Sequence, residues 1–498
     1  MDTDAMNEGR ASGMDDRALM GHPAALLNII SLETLERFSF YGMQAILILY
    51  LYYPPERGGL GFTVPEAISI VGGYAGTVYL ASIAGALVAD RILGAERTLF
   101  LSGVTIMVGH TLLAILPGIS GVALGCACVA LGAGGVKATA SALVGRLYEA
   151  GDGRRDAGFS IFYAGITLGA FAGPLITGWS QANIGFHYGF GAAAIGMAIG
   201  LIYYLVRRRR LAPYASPPAA PMTRRGQLLL ACASLSIVTI VLLCFSAGVL
   251  NAANLSRIVA TIGMTATVAW FLFMLTSATI SADERARVIA FMPIFFGCFV
   301  ALALSLTSSG LILVYADKLL DRNVAGYLVP APWAQSANSL LAIGWSVLLA
   351  LLWRRGRERA RPAFQIPFGL ILIALAYLSM VPVTIQPPFG ASILALLPFE
   401  ALFSLGLIFV YPLGLAVTTR LAPPRFYSQF IAAFYLSISL GSAVAGWAGS
   451  RLFDFDNRMW FFLGGALVAL LGAALCFAML RKTAGIGTNP QVTKLEVA

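Results

Sequence analysis

The sequence predicts an all-α, polytopic membrane protein whose fourteen transmembrane helices fall into groups of six, two and six. Three observations predict it. Of 498 residues, 58% are hydrophobic and 11% charged, the mean hydropathy is +0.81, and fourteen apolar runs each reach the roughly 20 residues that cross a bilayer. Soluble domains carry about a quarter charged residues, so this is a membrane composition.

The elements follow in order. Residues 1–23 are polar and mixed in charge, with no short apolar core before an A-x-A-like site, and are expected to stay attached as a cytoplasmic tail. The apolar runs then place helices at 25–52, 67–90, 98–116, 120–147, 157–180, 186–206, 227–250, 255–278, 288–317, 332–353, 365–382, 390–418, 427–450 and 459–480. Breaker-rich connections such as PPERGG, EAGDGRRD, APYASPPAAP and IQPPFG separate them. With the N-terminus inside, 25 of the 33 Lys and Arg residues fall on the cytoplasmic side and 6 outside, Arg37 and Lys137 lying within helices. Both termini are therefore expected in the cytoplasm, residues 482–498 forming a second tail. The net charge of +10 needs no nucleic acid. Its heaviest blocks, RRRR at 207–210 and RRGRERARP at 354–362, are inner-face loops suited to anionic headgroups of the bilayer.

The Pro- and Arg-rich linker after residue 210 and SADERARV at 281–288 set the expected boundaries: a six-helix bundle over 24–210, a linker with two additional helices over 211–286, and a second bundle over 287–481. Two six-helix halves are the arrangement of major facilitator transporters, whose halves rock about a midplane site. Asp90 and Arg91, in the loop GALVADRILGAERT with Gly85 and Gly94, suit an inner-face latch or gate between helices. A plain solvated loop is the alternative. The six cysteines, Cys126, Cys128, Cys232, Cys244, Cys298 and Cys476, all sit in apolar runs and read as small hydrophobes. The three histidines are too scattered for a metal site. No metal and no cofactor is expected.

Charges inside the spans need a reason, because each costs at least about 2.5–3.5 kcal/mol at the bilayer centre and turns inward to pair. Glu33 and Arg37 are i and i+4 with Glu36 beside them, so one helix face carries all three. Two acids against one base leave a carboxylate able to exchange a proton; a static, self-neutralising staple is the other reading. Lys137, beside GAGG and nine residues before Arg146, is too deep to snorkel and needs an acidic partner. Glu400 is the acid near the middle of a second-half helix, so a Lys137–Glu400 bridge is the economical inference, against local polar groups and water for each.

ETLERFSFYG, residues 33–42, resembles the E-x-x-E-R-F-x-Y-Y-G signature of the proton-dependent oligopeptide transporter (POT, or PTR) family. The likeness runs from about residue 24 to 481. It includes ALGAGGVKA at 130–138, GFSIFYAGITLGAFAGPLITG at 158–178, GFHYGFGAAAIGMAIGLIYYL at 185–205, WAQSAN at 333–338, FEALFSLGLIFVYPLGLAVTTRLAP at 399–423 and FYLSISLGSAVAG at 434–446. The additional helix pair is also usual for bacterial members. The resemblance implies a non-enzymatic symporter of the bacterial inner membrane, importing di- or tripeptides or a peptide-like solute with protons as coupling ion; a single chain suffices. It implies proton coupling by Glu33, Glu36 and Arg37. Glu400 and Asn338 resemble the groups for the substrate ammonium, Lys137 the cation for its carboxylate, and Tyr41 and Tyr79 a hydroxyl-bearing lining, with Ser404 one turn after Glu400 able to add a hydrogen bond. For each tyrosine, a packed aromatic is the alternative.

Departures from the pattern matter too. Gln44 stands where members often have a base, and SLTSSG at 305–310 replaces F-E-Q-x-G-S, so both partners of a family charge pair are gone. Keeping one would have left a buried charge unpaired. Thr167 replaces an amide, Phe434 a tryptophan and Ala138 a proline. The proton machinery looks complete and the carboxylate clamp weakened, which leaves open another small solute: an amino-acid conjugate, nitrate or an organic anion.

Overall fold

The computed structural model describes residues 17–19, 21–149, 152–215, 217–218, 221–353, 364–423 and 426–483. Residues 1–16 and 484–498, in the two expected tails, and the arginine block at 354–362 lie outside them. Helices form at Ala24–Tyr52 (α1), Val64–Val88 (α2), Ala95–Ile115 (α3), Gly118–Arg146 (α4), Arg155–Asn183 (α5), Phe186–Arg207 (α6), Arg224–Ser246 (α7), Leu255–Thr276 (α8), Ala282–Thr307 (α9), Leu313–Leu319 (α10), Trp333–Trp353 (α11), Gln365–Ser379 (α12), Val381–Thr384 (α13), Leu397–Leu421 (α14), Tyr427–Leu452 (α15) and Arg458–Thr483 (α16). The β-structure described is two short hairpins, Arg17–Leu19 with His22–Pro23 and Asn323–Val324 with Tyr327–Leu328.

Every apolar run is helical, and among the described residues twelve helical segments are long and apolar enough to cross a membrane. The other two of the fourteen expected positions are α1, where Glu33, Glu36 and Arg37 interrupt the apolar run, and α7, whose side chains are described only in part. Three details depart from the sequence expectation. The run at 288–317 is α9 and α10 joined through a π turn at Ser308–Ile312. Pro382 splits the run at 365–382 into α12 and α13. The helix expected from residue 390 starts as a 3-10 turn at Ile393–Leu396 and is α-helical from Leu397; just before it, Ala391 O and Ile393 N bond the backbone of Asp321, at 2.8 Å each.

The chain packs into two compact units. One takes the described residues up to Met43 and Ala81–Ile237, the other Gln44–Leu80 and those from Val238 onward, so the division falls inside α1, α2 and α7.

In the first unit, small residues let backbones approach closely, the usual route to tight packing where lipid removes the hydrophobic drive. Gly165, Gly169 and Gly173 of α5 recur every four residues along α1. A methyl group on Gly165 would lie 2.6 Å from Thr34 Oγ1, on Gly169 2.9 Å from Arg37 Cβ, and on Gly173 3.0 Å from Gly42 N. Thr177 Oγ1 closes the row by donating to Gly42 O at 2.9 Å. Gly85 and Gly135 meet in the same way, bringing the α2 end against α4 just before Lys137. Glu96 ties the start of α3 to the end of α6 through Arg208 Nε (2.7 Å), Arg208 Nη2 (3.0 Å) and the Tyr204 hydroxyl (3.0 Å).

In the second unit, the first half of α2 lies on α15, with Gly72 against Gly446 and Ser439 Oγ donating to Gly76 O at 2.8 Å. Trp270 and Phe271 of α8 join Phe291, Phe295 and Phe430 in an aromatic cluster. One face of α8 is thus buried, through Ser256, Val259, Gly263, Thr267 and Met274. The opposite face, including Val268 and Leu272, is exposed to the level of a lipid-facing surface.

Because the α5 glycine row sets how deeply α1 seats, Gly169→Ala is expected to overpack the contact by about 1–3 kcal/mol and lower the melting temperature of the detergent-solubilised protein. Gly464→Ala, with nothing within 4 Å of the added methyl, is expected to leave it unchanged. Equal melting temperatures for the two variants would refute the account.

Candidate functional site

The first constellation is on α1. Glu33 is 2% exposed, Glu36 0% and Arg37 6%. Arg37 donates from Nε (2.9 Å) and Nη2 (2.7 Å) to the same oxygen, Glu33 Oε1. Its Nε also stands 3.2 Å from Glu36 Oε2, an ion pair outside hydrogen-bond geometry. Glu33 Oε2 and Glu36 Oε1 have no hydrogen-bond partner among the described residues. One guanidinium therefore serves two buried carboxylates, and Glu36 is the less satisfied of them. Lys137, half-buried on α4, lies within electrostatic reach of all three, and its ammonium sits 5.4 Å from the centroid of the Phe40 ring. Tyr41 follows Arg37 by one turn and feels its charge. Spacing along α1 brings Glu33, Glu36 and Arg37 together, while Lys137 comes from α4.

The second constellation is in the other unit. Glu400, 4% exposed in the first turn of α14, accepts a 2.6 Å hydrogen bond from Asn338 Nδ2 of α11. Trp345 Nε1 donates to Ala401 O at 2.9 Å, a further tie between those two helices. Ser404 is buried, but its hydroxyl donates to Ala401 O at 3.2 Å rather than to Glu400. Phe434, fully buried, packs between Tyr411 and Tyr435, and Tyr79 stacks on Tyr435 with centroids 6.4 Å apart. Thr167, on α5 of the first unit, also donates to its own helix, at Tyr163 O, 2.9 Å away. The hydroxyls of Ser404 and Thr167 are thus directed at backbone in this conformation.

Asp90 and Arg91 occupy a π turn, Ala89–Leu93, at the end of α2, with both side chains exposed. The tie found there is of backbone: Met222 N donates to Arg91 O at 2.8 Å, which docks the linker on this loop. Gln44 is half-buried on α1, while the side chain of Thr307 lies outside the described residues. The π turn at Ser308–Ile312 begins immediately after it, and π turns often mark functional positions in helices.

One cluster escapes sequence reasoning. Asp317 at the end of α10 accepts from the Tyr52 hydroxyl at 2.5 Å and the Tyr53 hydroxyl at 2.8 Å, with Arg322 Nη2 at 3.4 Å. Lys318 lies 5.0 Å from the Tyr52 ring centroid. The only sequence signal is the Asp-Lys pair at the helix end and the Tyr-Tyr pair at another.

Removing the donor to Glu400 tests the second constellation. Asn338→Ala leaves a buried carboxylate without its amide and is expected to cost about 1–3 kcal/mol, read as a lower melting temperature. Adding Glu400→Gln is expected to return part of that loss; strictly additive shifts would show that the pair contributes nothing as a pair.

Comparison with known proteins identifies the family. The family model described as POT family matches residues 96–458. An uncharacterised transporter, YclF, of Bacillus subtilis is 33% identical over 94% of this chain and 96% of its own. A protein named di-/tripeptide transporter from Lactococcus lactis subsp. lactis is 35% identical over 93% and 96%. Among solved structures, a peptide transporter in complex with alafosfalin superposes with a TM-score of 0.89 at 32% identity, covering 96% of this chain and 99% of that one. A POT family transporter in complex with 5-aminolevulinic acid gives 0.88 at 28%, covering 95% and 99%. The chain is therefore a multi-pass membrane transporter, not an enzyme, and belongs to the POT family.

Proposed function

We propose that the chain is a proton-coupled symporter that imports di- or tripeptides, or a peptide-like solute, by alternating access. In this reading fourteen helices, six, two and six, cross the bacterial inner membrane with both termini cytoplasmic. The relatives named as peptide transporters support the substrate class. The observation that carries the mechanism is the sharing of Arg37 between two buried carboxylates, with Glu36 the less satisfied.

A proton on Glu36 removes one negative charge from the cluster and leaves Arg37 to Glu33. That redistribution changes which arrangement of the helix is favoured, and a ligand or proton shifts an equilibrium only by such a difference between states. No cofactor takes part; the proton is the coupling ion. Lys137 is proposed to meet the substrate carboxylate, and Glu400, held by Asn338, its ammonium. Tyr41, Tyr79, Thr167, Ser404 and Phe434 are proposed to shape the cavity, and Asp90 and Arg91 to serve the inner-face gate. A lone chain carries all these parts.

A second reading, transport of another small solute, draws on two observations. Gln44 and Thr307 withhold the additional base and acid, and a structural relative is in complex with 5-aminolevulinic acid. Uptake of labelled di-alanine into proteoliposomes under an inward proton gradient decides between them: accumulation supports the peptide reading, and accumulation of 5-aminolevulinic acid alone supports the other.

Glu36→Gln tests the coupling. The amide keeps the shape and fixes the group neutral, so gradient-driven accumulation is expected to fall to the level reached without a proton gradient. Counterflow, which exchanges labelled for unlabelled peptide without net proton movement, is expected to persist. A static staple would impair both modes together, with the melting temperature; that pattern, or undiminished accumulation, would show that Glu36 does not couple protons.

A further inference from the structure

We propose that the first turns of α8 are a latch that holds one end of the transporter closed, releasing α2 in each cycle while remaining on α15. The proposal rests on the alternating-access reading above, which supplies the need for such an end to open. The orientation in that reading puts this end outside.

The contacts of α8 are of two kinds. Along its length it lies on α15 and α9: a methyl on Gly263 would meet Leu440 Cδ1 at 3.5 Å. Further on, Trp270 stands edge-on to Phe430 (5.5 Å) and Phe291 (6.0 Å), and Phe271 edge-on to Phe295 (5.2 Å). With the Gly263–Leu440 approach two turns earlier, these aromatic pairs hold α8 on α15 and α9 as one body.

Against α2 the contact is confined to the start of the helix. Leu255 covers Gly73, with 2.6 Å from Leu255 Cγ to the place a methyl would take, and Val259 covers Gly76 at 2.9 Å. Between them Ser256 Oγ and Ser69 Oγ form a 3.0 Å hydrogen bond, both side chains fully buried. Glycines on α2 make shallow seats that a leucine and a valine can leave without dragging side chains past one another. The single hydroxyl pair is weak as well: such interhelical bonds bias a population by on the order of three-fold.

The latch is also presented rigidly. Asn251 N donates to Asn254 Oδ1 (2.9 Å) and Asn254 N to Asn251 Oδ1 (3.1 Å), a reciprocal turn that fixes the chain just before Leu255. A second, longer bond from Ser256 N to Ser69 Oγ (3.4 Å) involves the same two residues; a helix whose long contact is extensive and whose short contact is small, smooth and hydrogen-bonded through one residue pair will part at the short one.

Two cross-links in the full-length chain test this, each with its single-cysteine controls. The hydroxyl oxygens of Ser69 and Ser256 are close enough for a disulfide to replace them. Oxidised Ser69→Cys/Ser256→Cys, with the cross-link verified by mass spectrometry, is expected to lower counterflow of di-alanine at least about ten-fold, with recovery on reduction. Oxidised Gly263→Cys/Leu440→Cys, on the α15 side, is expected to leave counterflow intact. A verified Ser69–Ser256 cross-link with full counterflow, or a block by the α15-side cross-link, overturns the latch. A third measurement needs no substrate: Leu255→Ala is expected to raise labelling of Ser69→Cys by an impermeant maleimide about three-fold, and an unchanged rate also overturns the proposal. Should the wild-type protein move no di-alanine, the peptide reading fails while the labelling experiment still decides the latch.

Discussion

Arg37 divided between Glu33 and Glu36 is the constraint around which the first unit is organised. Three charges in the middle of an apolar helix cannot face lipid, and burying them without mutual contact would cost several kcal/mol per ion. They must lie on one face and that face must be covered. The i to i+4 spacing meets the first demand, placing Arg37 Nε and Nη2 on one oxygen of Glu33. The second falls to α5, whose glycines at 165, 169 and 173 bring its backbone against Thr34, Arg37, Phe38 and Gly42. A larger residue at Gly169 would displace the helix at the very residue that carries the guanidinium.

The second unit answers the same problem with less charge. Glu400 has a neutral amide, Asn338, in place of a guanidinium, so the hydrogen-bond donor described for it carries no formal charge. An amide donor can serve either protonation state of a carboxyl group, accepting as readily as donating. The nearby hydroxyl of Ser404, turned to backbone, leaves that flexibility intact.

Sequence reading succeeded where the physics is local. Bilayer thickness fixes span length, so the apolar runs located the helices to within a few residues, and helical periodicity alone assembled Glu33, Glu36 and Arg37. It failed where the partner is distant along the chain. Tyr52 and Asp317 are 265 residues apart and Ser69 and Ser256 187 apart, and nothing in a polar residue at a helix end names its mate. Backbone competition is equally invisible: residues 390–392 read as helix, yet Asp321 bonds Ala391 O and Ile393 N, and the helix starts as a 3-10 turn at Ile393–Leu396. The direction of a hydroxyl is the third blind spot, since Thr167 and Ser404 can bond their own helix as easily as a ligand. Helices 227–278 carry few polar residues beyond Ser, Thr and Asn, and on α8 it is such small hydroxyls, Ser256 and Thr267, that help line the buried face.

The paired absences at Gln44 and Thr307 bear on what the remaining charges do. A charge pair in a membrane core is retained only as a pair, so its loss removes a fixed electrostatic tie without leaving a stranded ion. The backbone at that point of the second unit is a π turn, Ser308–Ile312, where the regular i to i−4 ladder is interrupted between α9 and α10. Such a turn gives a long helix a place to change direction that no side-chain charge controls. The charges that the proposed mechanism draws on are then the α1 cluster, with Lys137 close by, and Glu400. Of these, Glu36 combines complete burial with the weakest set of partners. Glu33 accepts two short hydrogen bonds from Arg37 and Glu36 has only a longer ion pair, and that difference in partners distinguishes the two carboxylates.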